Sequence, residues 1–127
     1  SYHGKGFVAR LSGSTVEFLQ MWQLMMFGKQ PFTAEEGKLN LRFQPAIPKY
    51  LVGKKKQVTA MFLSRIPVTY HMKEEADYIP GQYEITSIDV VYEGGSHYTT
   101  TDGTISGKLA EDIRKQKVSA IHIELGR

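Results

Sequence analysis

The chain has 127 residues, 41% of them hydrophobic and 23% charged, with a formal net charge of +3. That is the composition of a soluble globular protein with length for one ordinary domain and a real core, and the mild positive excess gives no argument for a nucleic-acid partner. No apolar run reaches bilayer length and no signal peptide is visible, so no membrane partner is expected and the chain is read as cytoplasmic.

The absence of cysteine excludes disulfides and thiolate metal ligands, and by itself leaves the redox compartment open. The first residue is Ser1 rather than Met, which reads as a boundary inside a longer protein or as a processed terminus.

Phe7-Val8-Ala9-Arg10-Leu11 is a short apolar run, a strand or an extended connection. Ser12-Gly13-Ser14 breaks it, and a helix is expected over 15–27. Ser14 and Glu17 fit a capping box, in which hydroxyl and carboxylate each satisfy an orphan backbone N–H. Gly28 stands where a left-handed stop belongs, and Pro31 prevents resumption. After the cap, the polar residues Glu17, Gln20 and Gln23 recur three apart and form one narrow stripe. Val16, Phe18, Leu19, Met21, Trp22, Leu24, Met25, Met26 and Phe27 fill the rest of the circumference. A helix this apolar is expected to be buried from two sides, whereas a helix on the surface of a small β-domain needs one apolar stripe. A neighbouring domain should therefore cover the other side.

After Gly28 the period changes to two. Leu39, Leu41 and Phe43 alternate inward within 38–43, with Glu35-Glu36-Gly37 as the turn before them. Pro45-Ala46-Ile47-Pro48 is an extended connector. Lys54-Lys55-Lys56 reads as a solvated loop. Strands are expected at 58–63 and 67–72, then an acidic loop at 73–80 and a long strand within 82–92. Glu93-Gly94-Gly95-Ser96 is a hairpin turn, with a return strand at 97–101. Residues 107–116 fit a short helix better than a strand, and 117–125 close the chain as a strand. The whole is expected to be mainly β, a jelly-roll-like β-sandwich with one long N-terminal helix and a short C-terminal one.

Few residues suggest chemistry. His3, His71, His97 and His122 lack metal-ligand spacing, and the last three fit ordinary strand histidines. The carboxylates Glu35-Glu36, Glu74-Glu75-Asp77 and Glu111-Asp112 fall in turns, loops or a helix surface and read as solvated charge. Tyr78, Tyr83, Tyr92 and Tyr98 fit core or rim packing better than a sugar-stacking platform. No nucleophile elbow, dinucleotide fingerprint or P-loop occurs. Ser12, Gly13 and Ser14 stand out because they lead into a helix N-terminus, where free N–H groups and the peptide dipoles favour an anion. Gly13 has no Cβ to obstruct a ligand, and hydroxyls flank it. A plain N-cap is the simpler reading of the pattern alone.

Leu11-Ser12-Gly13-Ser14, a helix ending Met26-Phe27-Gly28 with Pro31 close behind, Gly37-Lys38-Leu39 and Pro45-Ala46-Ile47-Pro48 together resemble the C-terminal part of cellobiose phosphorylase and its relatives. The resemblance is clearest over 11–50. It implies that 1–31 is the tail of a catalytic (α/α)6 barrel and that 32–127 is a C-terminal β-sandwich. It implies an inverting glycoside phosphorylase, a glycosyltransferase-type enzyme of carbohydrate metabolism that cleaves β-glucosides with phosphate to a sugar 1-phosphate.

On that resemblance Ser12 and Gly13, with Ser14 adjoining, help hold phosphate, and the general acid is an aspartate upstream of residue 1. Inorganic phosphate is then a co-substrate, with no cofactor or metal. The partners are the barrel of the same parent chain and a β-glucoside or oligosaccharide, and a homodimer stays open. The fragment alone is expected to be inactive. Ser12 stands where the family has threonine, and Val16-Glu17-Phe18 replaces the aromatic that commonly follows, so sugar and linkage stay open. A carbohydrate-binding module and a partner-binding β-domain are the competing readings.

Overall fold

The computed structural model describes residues 13–127. The apolar run 7–11, His3 and Ser12 lie outside the described residues. In chain order the elements are α1 (Gly13–Phe27), β1 (Phe32–Glu35), β2 (Lys38–Leu41), α2 (Lys49–Val52), β3 (Gln57–Phe62) and β4 (Ile66–Met72), followed by β5 (Glu84–Tyr92), β6 (His97–Thr100), β7 (Ile105–Ser106), α3 (Lys108–Arg114) and β8 (Val118–Gly126). The described part is mainly β, with two open sheets and three helices.

The larger sheet has the order β3-β4-β8-β5-β6, and the smaller has the order β1-β2-β7. All pairings are antiparallel except β4 with β8, which is parallel and joins the two hairpins β3–β4 and β5–β6 at the centre of the larger sheet. Strict alternation makes one face of that sheet apolar. Val58, Ala60 and Phe62 of β3 are buried, as are Ile121, Ile123 and Leu125 of β8, while the residues between them face away. This is the period-two signature of a sheet with one buried face.

The two sheets meet around Phe62 on the larger sheet. Its ring lies 4.9 Å from that of Phe43, edge to face, and 5.6 Å from that of Phe32. Phe27, the last residue of α1, completes the group at 5.0 Å from Phe62 and 5.8 Å from Phe43. Four rings from four segments thus share one contact point, in tilted, edge-on and stacked geometries of the kinds that ring quadrupoles favour.

The short helix expected within 107–116 is present as α3, and the strands expected from 58 onward are present within one to two residues. Three short elements were not anticipated: β1, β7 and the single turn α2. Because Phe62 touches three other segments, Phe62→Ala should lower unfolding free energy by about 3–5 kcal/mol, the usual range for a buried ring truncated to methyl. The check is the urea midpoint of the variant against wild type.

Candidate functional site

The carboxyl end of α1 is built by the rest of the fold. A helix leaves its last four carbonyls without an intrahelical partner. Here all four find one: Leu24 O accepts from Gly28 N at 2.9 Å, Met25 O from Ala46 N at 2.7 Å, Phe27 O from Gln44 N at 3.2 Å and Met26 O from the Tyr70 hydroxyl. Gly28 has φ 91, and a Cβ there would stand 3.1 Å from Gln44 Cβ. Glycine is therefore required both for the left-handed turn and for the close approach of the connector.

The connector is itself held, since the Tyr83 hydroxyl donates to Pro45 O at 2.6 Å. Burial, reinforced by the neighbouring Tyr83, pushes the Tyr70 hydroxyl well above its ordinary pKa. Burial pushes Tyr83 up to about 12, against a smaller lowering effect of Arg42. Both hydroxyls therefore remain protonated donors at neutral pH.

Toward the amino end the helix leaves the body. Met26 and Phe27 are buried and Trp22 and Met25 are half-buried, but Phe18 is 64% exposed, Met21 57% and Leu24 52%. Val16 and Leu19 are exposed as well. The only side-chain hydrogen bond from this stretch among the described residues is Gln23 Nε2 to Met61 O at 3.3 Å. Between α1 and β3 runs a groove of about 420 Å³ with Phe27 and Phe62 in it and Leu19, Leu24 and Pro31 along it. Burial from two sides, the expectation for α1, is thus met on one side only among the described residues. The other side is an apolar face in contact with solvent.

Of the three residues singled out for an anion, Ser12 lies outside the described residues. Gly13 and Ser14 are helical in backbone and belong to α1, two residues earlier than the helix expected at 15. His71, His97 and His122 lie on β4, β6 and β8 as expected. Of the four tyrosines considered for sugar stacking, Tyr78 is buried, Tyr83 and Tyr92 are half-buried, and only Tyr98 is exposed. They make no shared flat platform. No helix among the described residues is long and apolar enough to cross a membrane.

One carboxylate departs from the solvated charge expected of it. Asp112 is 7% exposed and accepts from the Tyr92 hydroxyl at 3.1 Å and from Lys108 Nζ at 3.3 Å. This ties α3 to β5. Apart from the i,i+4 position of Lys108, nothing in the local sequence signals it, because Tyr92 arrives through the tertiary fold.

No known protein family matches the chain, and no curated protein matches it. The geometry therefore carries the functional reading together with the order of residues in the stretch 11–50.

The buried carboxylate sets a pH dependence. Burial alone would raise the pKa of Asp112, but hydrogen bonds from Tyr92 and Lys108 and the charges of Lys108 and Lys117 outweigh it and hold the carboxyl below its ordinary value. A depressed folded-state pKa contributes stability that is present above the unfolded value, about 3.9, and is lost as pH falls through the folded one. Asp112→Asn should therefore be less stable than wild type at neutral pH, with the gap closing below about pH 4. Urea midpoints of both proteins at pH 7 and pH 3 check this.

Proposed function

We propose that this chain is the C-terminal part of an inverting glycoside phosphorylase of the cellobiose phosphorylase kind, in which α1 is the seam between a β-sandwich and the catalytic (α/α)6 barrel of the same polypeptide. The observation that carries the reading is the outward face of α1. Phe18, Met21 and Leu24 are each more than half exposed on one helix whose other end is locked into the core. Clustered large apolar side chains mark a surface that another body covers, whereas single ones scattered over a surface do not.

The residue order Ser12-Gly13-Ser14, helix, Gly28, Pro31 and Pro45-Ala46-Ile47-Pro48 resembles that of the family proposed to supply that body. The aromatic contact of Phe62 with Phe32 and Phe43 supports two packed layers. The parallel pairing of β4 with β8 sets this arrangement apart from a wholly antiparallel jelly roll.

In this reading the reaction proceeds on the barrel. A phosphate oxygen bonds to the anomeric carbon from the face opposite the leaving group. The glycosidic bond breaks, and an aspartic acid of the barrel passes its proton to the departing oxygen. The product is a sugar 1-phosphate with inverted configuration. Ser12, Gly13 and Ser14 close one wall of the phosphate site, with hydroxyls and backbone N–H groups as donors. No organic cofactor is required, the site is cytoplasmic, and the chain alone is inactive.

Two substitutions separate the parts of this proposal. In the full-length enzyme, Gly13→Val should raise the KM for phosphate with the thermal midpoint nearly unchanged, as steady-state phosphorolysis against phosphate concentration would show. An unaltered phosphate dependence contradicts the phosphate wall. Phe18→Ser combined with Met21→Ser should change the stability of the 127-residue chain by no more than about 1 kcal/mol, the usual limit for two exposed positions. The same pair should lower the thermal midpoint of the full-length protein.

A further inference from the structure

The outer face of the larger sheet carries polar side chains in register across its central strands. Thr69 of β4 lies opposite His122 of β8, and Asp89 of β5 lies opposite His122 from the other side. His71 lies opposite Glu124. His71 and His122 are therefore diagonal neighbours across the parallel pair. Their rings are nearly parallel, tilted by 28° with centroids 5.2 Å apart, and His71 Nε2 stands 3.0 Å from His122 Nδ1. Both are half-buried and line a cavity of about 530 Å³ that Asp89, Glu124, Lys73 and Arg127 also line.

We propose that His71 and His122 form a two-imidazole site for a divalent transition-metal ion of borderline softness, of the Zn²⁺, Ni²⁺ or Cu²⁺ class. The spacing is the first reason. Imidazole nitrogens bind such ions at about 2.0–2.1 Å, so two ligands at tetrahedral to square-planar angles stand roughly 2.9–3.4 Å apart. The observed 3.0 Å lies within that window. The centroid separation of 5.2 Å shows the two nitrogens facing each other end to end, so each ring must turn its lone pair roughly 40° off the line between them to share one ion at about 2.0–2.1 Å.

The chemistry is balanced without a co-reactant. In the neutral pair one ring donates its N–H to the other. On metal binding that proton moves to the remote nitrogen of the donor ring, His71 Nδ1 or His122 Nε2, and both facing nitrogens coordinate. Asp89 and Glu124 bias the cavity toward a cation, while Lys73 and Arg127 oppose it. Among the described residues no three His, Asp or Glu side chains already converge on one point, so water fills the remaining positions. Asp89 is engaged elsewhere, accepting from His97 Nδ1 at 3.0 Å and from Thr99 Oγ1 at 3.0 Å. The expected preference is therefore for imidazole-seeking ions over Mg²⁺ or Ca²⁺.

The test is calorimetric titration of the full-length protein with NiCl₂ and ZnCl₂, for wild type and for His71→Gln, His122→Gln and His97→Gln. Glutamine keeps a polar side chain on the sheet face, and an unchanged thermal midpoint without metal confirms folding. Each of His71→Gln and His122→Gln should remove one bound ion per chain or weaken it tenfold or more, whereas His97→Gln should leave it. As a readout independent of the variants, metal should shift the imidazole ¹⁵N resonances of both His71 and His122 in the wild-type protein. Binding that survives loss of either ring, or rings that do not respond to metal, overturns the proposal.

Discussion

Four carbonyl groups at the end of α1 determine where the helix goes. A helix that stops in the open leaves them to water. This one hands them to Gly28, Gln44, Ala46 and the Tyr70 hydroxyl, which lie on three separate parts of the chain. Each bond is worth only about a kilocalorie per mole net, but leaving a buried acceptor unmade costs more, so the four together admit one direction of exit. The aromatic contact of Phe27 with Phe43 and Phe62 locks the same point from the apolar side.

The remainder of α1 follows from that anchor. Fixed at its carboxyl end, it runs outward past β3, and among the described apolar residues of α1 it is Trp22, Met25, Met26 and Phe27 that pack in or against the core. Fully burying a large apolar side chain yields about 1.5–3 kcal/mol. Val16, Phe18, Leu19, Met21 and Leu24 retain a large share of that driving force unspent. The same anchor that completes the β-domain thus presents a sticky face away from it, and this links the fold to the proposed seam with a catalytic barrel. The larger sheet divides its faces in the same manner. Apolar alternation fills one side, and the polar residues left on the other bring His71 and His122 together.

Much of this was legible in the chain itself. The helix and its stop were readable because Gly28 and Pro31 act locally, and the strands were readable because alternation is local too. The excess of apolar residues on α1 was legible too, and the structure leaves Val16, Phe18, Leu19, Met21 and Leu24 exposed. What escaped was set by pairing rather than by local preference. β7 has two residues and exists only because Asn40 and Leu41 offer it an edge. The break between β3 and β4 was legible, but not its left-handed turn at Leu63 and Ser64, with φ 55 and 61, where glycine or asparagine would have signalled it. Asp112 looked solvated because its partner Tyr92 is distant in sequence. The histidine pair depends on the parallel register of β4 and β8, which no periodicity reveals. The assignment of Ser12, Gly13 and Ser14 rests on the resemblance of the stretch 11–50 alone, with Ser12 outside the described residues and Gly13 and Ser14 within α1.

The central claim is that the outward face of α1 is covered in the intact protein. These 127 residues contain no cysteine, so within them a thiol placed by Met21→Cys reports on that face alone; Tyr50→Cys serves as a control at an exposed site on α2, and labelling is read at the introduced residue by peptide mapping. Thiol-labelling rates would be compared between the 127-residue chain and the full-length protein. The account expects Met21→Cys to react freely in the short chain and to be strongly protected in the long one, with Tyr50→Cys reactive in both. Equal, rapid labelling of Met21→Cys in the two proteins would contradict it.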